Sequence, residues 1–346
     1  MNYKLNQDTF FVNEIYSPKL KDEGEYYYYI LTKKGVSNKE LEKYIPRGNT
    51  CGIKDKNATT VQWFCTTEKI EKATLLESKN KEIKVKFKGK SDERLFVGKH
   101  EGNKFEVKVN LSEEEYKELK SISNRPFLVC NYFGEQRFDD RVFQLKELLE
   151  NEFYQDALKF VLTEESKFDS ETSTLMKKII EKHFGDWKKI LSFEVINNSG
   201  KKGLFEFLNK RTEEKKKLDE NDFKEAFRFV EKNSFKFSLK AIQSKKFNEL
   251  VNIEAIQKGA KVVGLIKGVE FLFDAKKSFK RQITVPVTEF EKSFGLKELE
   301  RNTYFQTKFK LNKRKDDYWI LFDLEKGAYA TVVLEYLKNY LKGLKF

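Results

Sequence analysis

The segment Gly52-Ile53-Lys54-Asp55-Lys56-Asn57-Ala58-Thr59-Thr60-Val61-Gln62-Trp63 decides how this chain is read. It sits inside Asn49–Thr66, where two short apolar runs flank a polar turn, Lys54-Asp55-Lys56-Asn57. Asp and Asn favour turns, so the local expectation is strand, turn, strand, with one carboxylate at the tip among lysines. Taken alone, that is a charged β-turn. The surrounding segments give it meaning.

Upstream, Phe10-Phe11-Val12 and Tyr26 to Leu31 read as strands, and Ser37 with Glu40 has capping-box spacing for a short helix to about Tyr44. Downstream, Ile83, Val85 and Phe87 alternate with lysines, and Phe105, Val107 and Val109 repeat the pattern. A period of two predicts half-buried strands with one basic, solvated face. Ser112 and Glu115 repeat the capping-box spacing for a helix over about 113–121. Pro126 breaks the helical run, and Phe127 to Phe133 returns as a strand.

From Arg141 the periodicity becomes helical, over Val142 to Leu162, Ser173 to Phe184, Phe223 to Val230 and Leu239 to Ile256. Arg211 to Lys217 reads as a solvated, lysine-rich linker. Residues 261–285 turn strand-like again, including Val262 to Ile266 and Phe271-Leu272-Phe273. A strand over Tyr318 to Leu324 and a helix over Tyr329 to Leu341 close the chain. A β-rich head, a helical middle and a β/α tail predict an α+β protein with an inserted domain, head and tail completing one sheet.

The 346 residues carry 68 Lys and Arg against 55 Asp and Glu, a net of +13, which favours a polyanionic partner. Thirty-two Phe, 15 Tyr and 3 Trp supply flat faces for bases, although most must be core. No apolar run approaches the roughly 20 residues a bilayer span needs, and the start lacks an apolar signal region. Three cysteines without paired spacing predict a reduced, cytoplasmic protein. Two histidines leave little from which to build a zinc site or a His-based general base.

Five segments, in order, resemble the TruD family of tRNA pseudouridine synthases. They are Lys4 with Asp8 to Glu14 and Glu23-Gly24-Glu25; Gly52 to Trp63; Gly98 with Gly102-Asn103-Lys104-Phe105; Asn131-Tyr132-Phe133-Gly134-Glu135-Gln136-Arg137-Phe138; and Gly327-Ala328-Tyr329-Ala330-Thr331. A weaker sixth match, Ala241 to Ser244 with Phe247-Asn248, falls in the helical middle. The chain departs from the family pattern at Tyr26 (His in the family), Asp139 (Gly) and Glu335 (Arg), and its middle proline- and glycine-rich loop is reduced to Val285-Pro286-Val287.

The resemblance implies a catalytic domain from 1–142 and 304–346, built on a mixed, mainly antiparallel sheet, and a largely helical TRUD domain inserted at 143–303. It implies isomerisation of uridine to pseudouridine in tRNA, at position 13, by a monomer with no metal or organic cofactor. By motif, Asp55 is the nucleophile and Lys4 the cation that keeps it ionised. Phe10, Phe133 and Tyr329 become aromatic faces for a flipped-out base, and Asn131 the amide that reads its edge. For Phe10 and Tyr329, core packing is the competing reading. Lys308, Lys310, Lys313, Arg314 and Lys315 suggest either a phosphate-binding stripe or a solvated hairpin. The rival from another class is an RNA-binding or RNA-folding protein whose catalysis is secondary or lost.

Overall fold

The computed structural model describes residues 1–138, 140–165, 170–259, 262–266, 269–272 and 280–343; Asp139 and Phe273 lie outside them. Head and tail share one sheet. Its strands run in the spatial order Phe309–Arg314, Asp317–Glu325, Gly102–Asn110, Phe10–Ile15, Thr59–Thr66, Tyr26–Lys34, Lys81–Ser91 and Thr74–Ser78. Asp317–Glu325 lies antiparallel to Gly102–Asn110, from Tyr318 opposite Val109 to Glu325 opposite Gly102. Phe10–Ile15 runs parallel to Thr59–Thr66, and every other strand pair among the described residues is antiparallel. The sheet is therefore mixed and mainly antiparallel.

Alternation sorts its two faces. Phe10, Val12, Phe105, Val107, Ile320 and Phe322 point one way, into a core shared with the helix Ala330–Leu341. Val333, Leu334 and Leu337 of that helix are fully buried, each contributing about 1.5–3 kcal/mol. Two strands farther on, Tyr29, Leu31, Ile83 and Val85 form a second apolar cluster under Val36 and Leu41. Between these clusters the same face turns polar. Glu14, Thr60, Gln62 and Lys33 occupy the alternation positions that would continue the core, and all four are buried.

The helical middle has its own core, around Trp187, Phe205, Leu208 and Phe227. The expected helix over Val142 to Leu162 is two, Asp140–Glu150 and Tyr154–Thr163. Between them Glu152 takes a left-handed φ of 57°, which a continuous helix cannot accommodate. The expected linker from Arg211 to Lys217 is instead the end of the helix Lys202–Lys215. Its charges are helix-spaced or cross-helix partners: Lys210 with Glu214, Lys215 with Asp219, and Arg211 with Glu225 at 2.9 Å.

The helix Lys232–Gln257 joins the two halves. Its Leu239, Ala241 and Ile242 belong to the helical core, and its Phe247, Val251 and Ala255 to the sheet core. Two short antiparallel pairs, Phe127–Cys130 with Tyr304–Thr307 and Gln282–Val285 with Leu299–Asn302, flank it. No described helix is long and apolar enough to cross a membrane.

Candidate active site

The loop that carries Asp55 lies against the polar strip of the sheet. Asp55 is half-buried, and its Oδ1 accepts the Asn57 N–H at 2.8 Å, the side-chain bond that closes an Asx turn. Beneath it, Lys33 is 1% exposed, and its ammonium donates to the carbonyls of Val36 (3.1 Å), Lys54 (3.0 Å) and Asp55 (3.1 Å). Burial pushes Lys33 down to about 8, and the charge of Asp55 opposes that fall. Lys54 turns away from Asp55: its ammonium lies 2.8 Å from Glu14 Oε1 and donates to Asn103 Oδ1 at 2.8 Å. Glu14 Oε2 in turn accepts the Trp63 N–H at 3.0 Å. Residues from three of the family-like segments are thus tied together behind the loop. Gly102 is required beside them, because a Cβ there would lie 2.2 Å from the Leu324 carbonyl oxygen.

A second wall is built around Arg301. Its Nε donates to the Asn131 carbonyl at 2.9 Å, and one terminal nitrogen donates to Asn131 Oδ1 at 2.6 Å and to the Gly327 carbonyl at 2.9 Å. The guanidinium carbon stands 4.2 Å from the centre of the Phe133 ring. Burial lowers Arg301 to about 10, a fall that Tyr329 and Glu325 oppose, so it stays cationic at neutral pH. Phe133 meets Tyr329 edge-on at 5.9 Å and Phe247 at 5.7 Å. Gly134 lets these rings close, since a Cβ on it would sit 2.7 Å from Tyr329 Cδ1. Asn131 is 4% exposed with its oxygen committed to Arg301, so the amide nitrogen is its remaining donor.

The N-terminal segment connects the walls. Tyr3 and Leu5 line a cavity of about 180 Å³ with Phe133, Gly134 and Thr331, while the Gln7 carbonyl accepts the Thr59 hydroxyl at 2.6 Å beside the Asp55 loop. Lys4 lies between them, exposed, and among the described residues no ion pair joins it to Asp55. Glu335, the departure from arginine, accepts the Tyr3 hydroxyl at 2.7 Å; burial first, and then Glu335, raises that phenol.

The structure therefore brings Asn131, Phe133 and Tyr329 together around Arg301 and sets Asp55 on the loop that Lys33 anchors, with the N-terminal segment touching both. It places Phe10 elsewhere: 6% exposed, its ring stacks on Phe105 at 6.0 Å inside the core. The basic stretch from Lys308 to Lys315 is a hairpin in which Lys313 lies 3.7 Å from Glu113 and Arg314 2.8 Å from Glu106. Cys51, Cys65 and Cys130 are buried and form no disulfide with one another, and burial pushes the Cys51 thiol up to about 12. Among the described residues no cluster of His, Cys, Asp and Glu could hold a metal ion. Sequence reasoning missed Lys33 and Arg301. One lies among other lysines and the other in an unremarked four-residue strand, so neither had a local signal.

Residues 1–307 match the family model described as tRNA pseudouridine synthase D (TruD). A "Probable tRNA pseudouridine synthase D 1" of Methanococcus maripaludis is 26% identical, over 99% of this chain and 100% of its own. The tRNA pseudouridine synthase D of Aquifex aeolicus is 32% identical, over 55% of this chain and 52% of its own. A crystal structure from Methanosarcina mazei assigned to the same family superimposes with a TM-score of 0.59 at 19% identity, covering 96% of this chain and 92% of that one. That likeness shows a shared fold.

Proposed function

The chain belongs to the tRNA pseudouridine synthase D (TruD) family, and from that premise we propose that it isomerises uridine to pseudouridine at position 13 of tRNA, with Asp55 as nucleophile. One observation carries the reading. Asn131, Phe133 and Tyr329 gather around Arg301, and the N-terminal segment that lines their cavity also bonds Thr59, just after the Asp55 loop that Lys33 anchors from beneath.

In this reading the target uridine leaves the RNA stack and its base lies against Phe133 and Tyr329, with the Asn131 amide at its edge. The Asp55 carboxylate attacks the ribose or the base, and the bond from N1 to C1′ breaks. The detached uracil turns and C5 bonds to C1′; the bond between Asp55 and the ribose or base breaks to return the free carboxylate, C5 gives up its proton and N1 gains one. The closed pocket must hold the free base and exclude water, since water would convert isomerisation into hydrolysis. Lys4 supplies an exposed cation on the segment between the two walls, and Phe10 supports the sheet from within the core.

We assign 1–142 and 304–346 to the catalytic domain and 143–303 to the insertion, in a cytoplasmic monomer. The test uses tRNA labelled with tritium at uridine C5. Wild-type protein should release tritium and place pseudouridine at position 13, and Asp55→Asn should bind the tRNA and release none. A wild-type protein that binds tRNA without releasing tritium would instead be an RNA-binding or RNA-folding protein.

A further inference from the structure

We propose that Lys33 is a positioning residue for the isomerisation, its buried ammonium tying the Asp55 loop to the sheet and placing a fixed positive charge under the nucleophile. The inference rests on the reading of Asp55 given above. A fully buried lysine is rare unless its charge is used. Here all three ammonium donors are matched, and two of the three acceptors are the successive carbonyls of Lys54 and Asp55. The third, Val36, belongs to the turn that ends the strand carrying Lys33, so one side chain staples the loop to a rigid element.

The rest of the loop leaves this task to Lys33. The Lys54 ammonium is engaged by Glu14 and Asn103, and Asp55 spends one oxygen on the Asn57 N–H. A nucleophile must be both ionised and held in register with its target, and misplacement by an ångström is costly. The neighbouring strands present Thr60 and Ile83 opposite Lys33, neither of which titrates. The charged group that acts on it is the Asp55 carboxylate, which favours the ammonium form, while burial disfavours it and brings its titration to about 8.

The sign of the pH effect separates a positioning role from a merely structural one. Because Lys33 titrates below an ordinary lysine (about 10.4), the unfolded chain binds more protons between about 8 and that value. This site's contribution to stability therefore rises with pH across that window. Activity dependent on its ammonium falls across the same window. A structural role alone gives no such divergence.

The test measures single-turnover tritium release from C5-labelled tRNA by the full chain between pH 6.5 and 9.5, alongside tRNA affinity and thermal stability. Lys33→Met should lower the rate constant about 100-fold at pH 7 with affinity largely kept. It should also lack the wild-type fall above pH 8, whereas titration of the substrate would appear in both profiles. Lys33→Arg, which stays charged, should keep more activity than Lys33→Met and lose that alkaline fall. A Lys33→Met protein with wild-type rate and profile overturns the proposal, as does a loss of rate matched by equal losses of affinity and stability. Should Lys33→Met fail to fold, a shared alkaline fall in wild type and Lys33→Arg overturns it. An active Asp55→Asn protein would remove the underlying reading; an inactive one beside a normal Lys33→Met would remove only this proposal.

Discussion

Asn248 Oδ1 accepts the Phe133 N–H at 2.9 Å, and Asn248 Nδ2 donates to the Phe133 carbonyl at 3.0 Å. One side-chain amide on the helix Lys232–Gln257 thus satisfies both main-chain groups of a residue just past a strand end, as a neighbouring strand would. Phe133 packs against both cores, so the amide sets the aromatic ring at the seam between them.

Replacing Asn248, itself 1% exposed, with alanine would strand the half-buried Phe133 N–H and carbonyl. A loss of about 2–3 kcal/mol is expected, read as a lower urea midpoint at unchanged slope. Catalytic efficiency should fall further than stability explains, because the ring is released. An Asn248→Ala protein with wild-type kinetics would detach Phe133 from the reaction.

Arg301→Lys keeps a positive charge but cannot reproduce the fork that grips the Asn131 carbonyl and its Oδ1 together. Charge-assisted hydrogen bonds of this kind contribute about 1.5–3 kcal/mol each. Losing one corresponds to a drop in kcat/KM of at least about 10-fold. Steady-state kinetics with a tRNA transcript measures it, and unchanged kinetics would mean that the fork is dispensable.

Lys4 is exposed on the segment joining the two walls. Lys4→Met should lower turnover far more than tRNA affinity if its charge acts on Asp55 or on the departing base. Equal losses in single-turnover rate and in affinity would reduce it to a phosphate contact.

The hairpin from Lys308 to Lys315 offers less free charge than its composition suggests, because Lys313 and Arg314 face Glu113 and Glu106. Neutralising all five basic residues should reduce the log–log salt slope of tRNA binding by about 2, short of the roughly 4 that five phosphate contacts would give. Titration at several salt concentrations distinguishes the two values, and an unchanged slope would remove the hairpin from the interface.

Much of the frame is legible in the chain, because local chemistry dictates it. Ser112 and Glu115 make both halves of the expected capping box, and Phe105, Val107 and Val109 alternate into the core as their spacing requires. Asn131, Phe133 and Tyr329 lie together around Arg301, although nearly 200 residues separate the first from the last. Phe10 belongs to the core because the period of two that makes it part of a strand also turns it toward Phe105. Lys33 and Arg301 were illegible for a different reason. Their roles depend on burial by distant strands, and one lysine or arginine among 68 basic residues looks like any other until those strands are paired.

The helix Lys232–Gln257 has a consequence for how the protein comes apart. At about 1.5 Å per residue its 26 residues span roughly 39 Å, with one end embedded in each core. Excising the helical middle would strip Phe247, Val251 and Ala255 out of the sheet core and remove the amide that holds Phe133. Neither half can melt without exposing part of the other, so heating should give one calorimetric transition. Sheet and helical middle are thus expected to unfold as one thermodynamic unit.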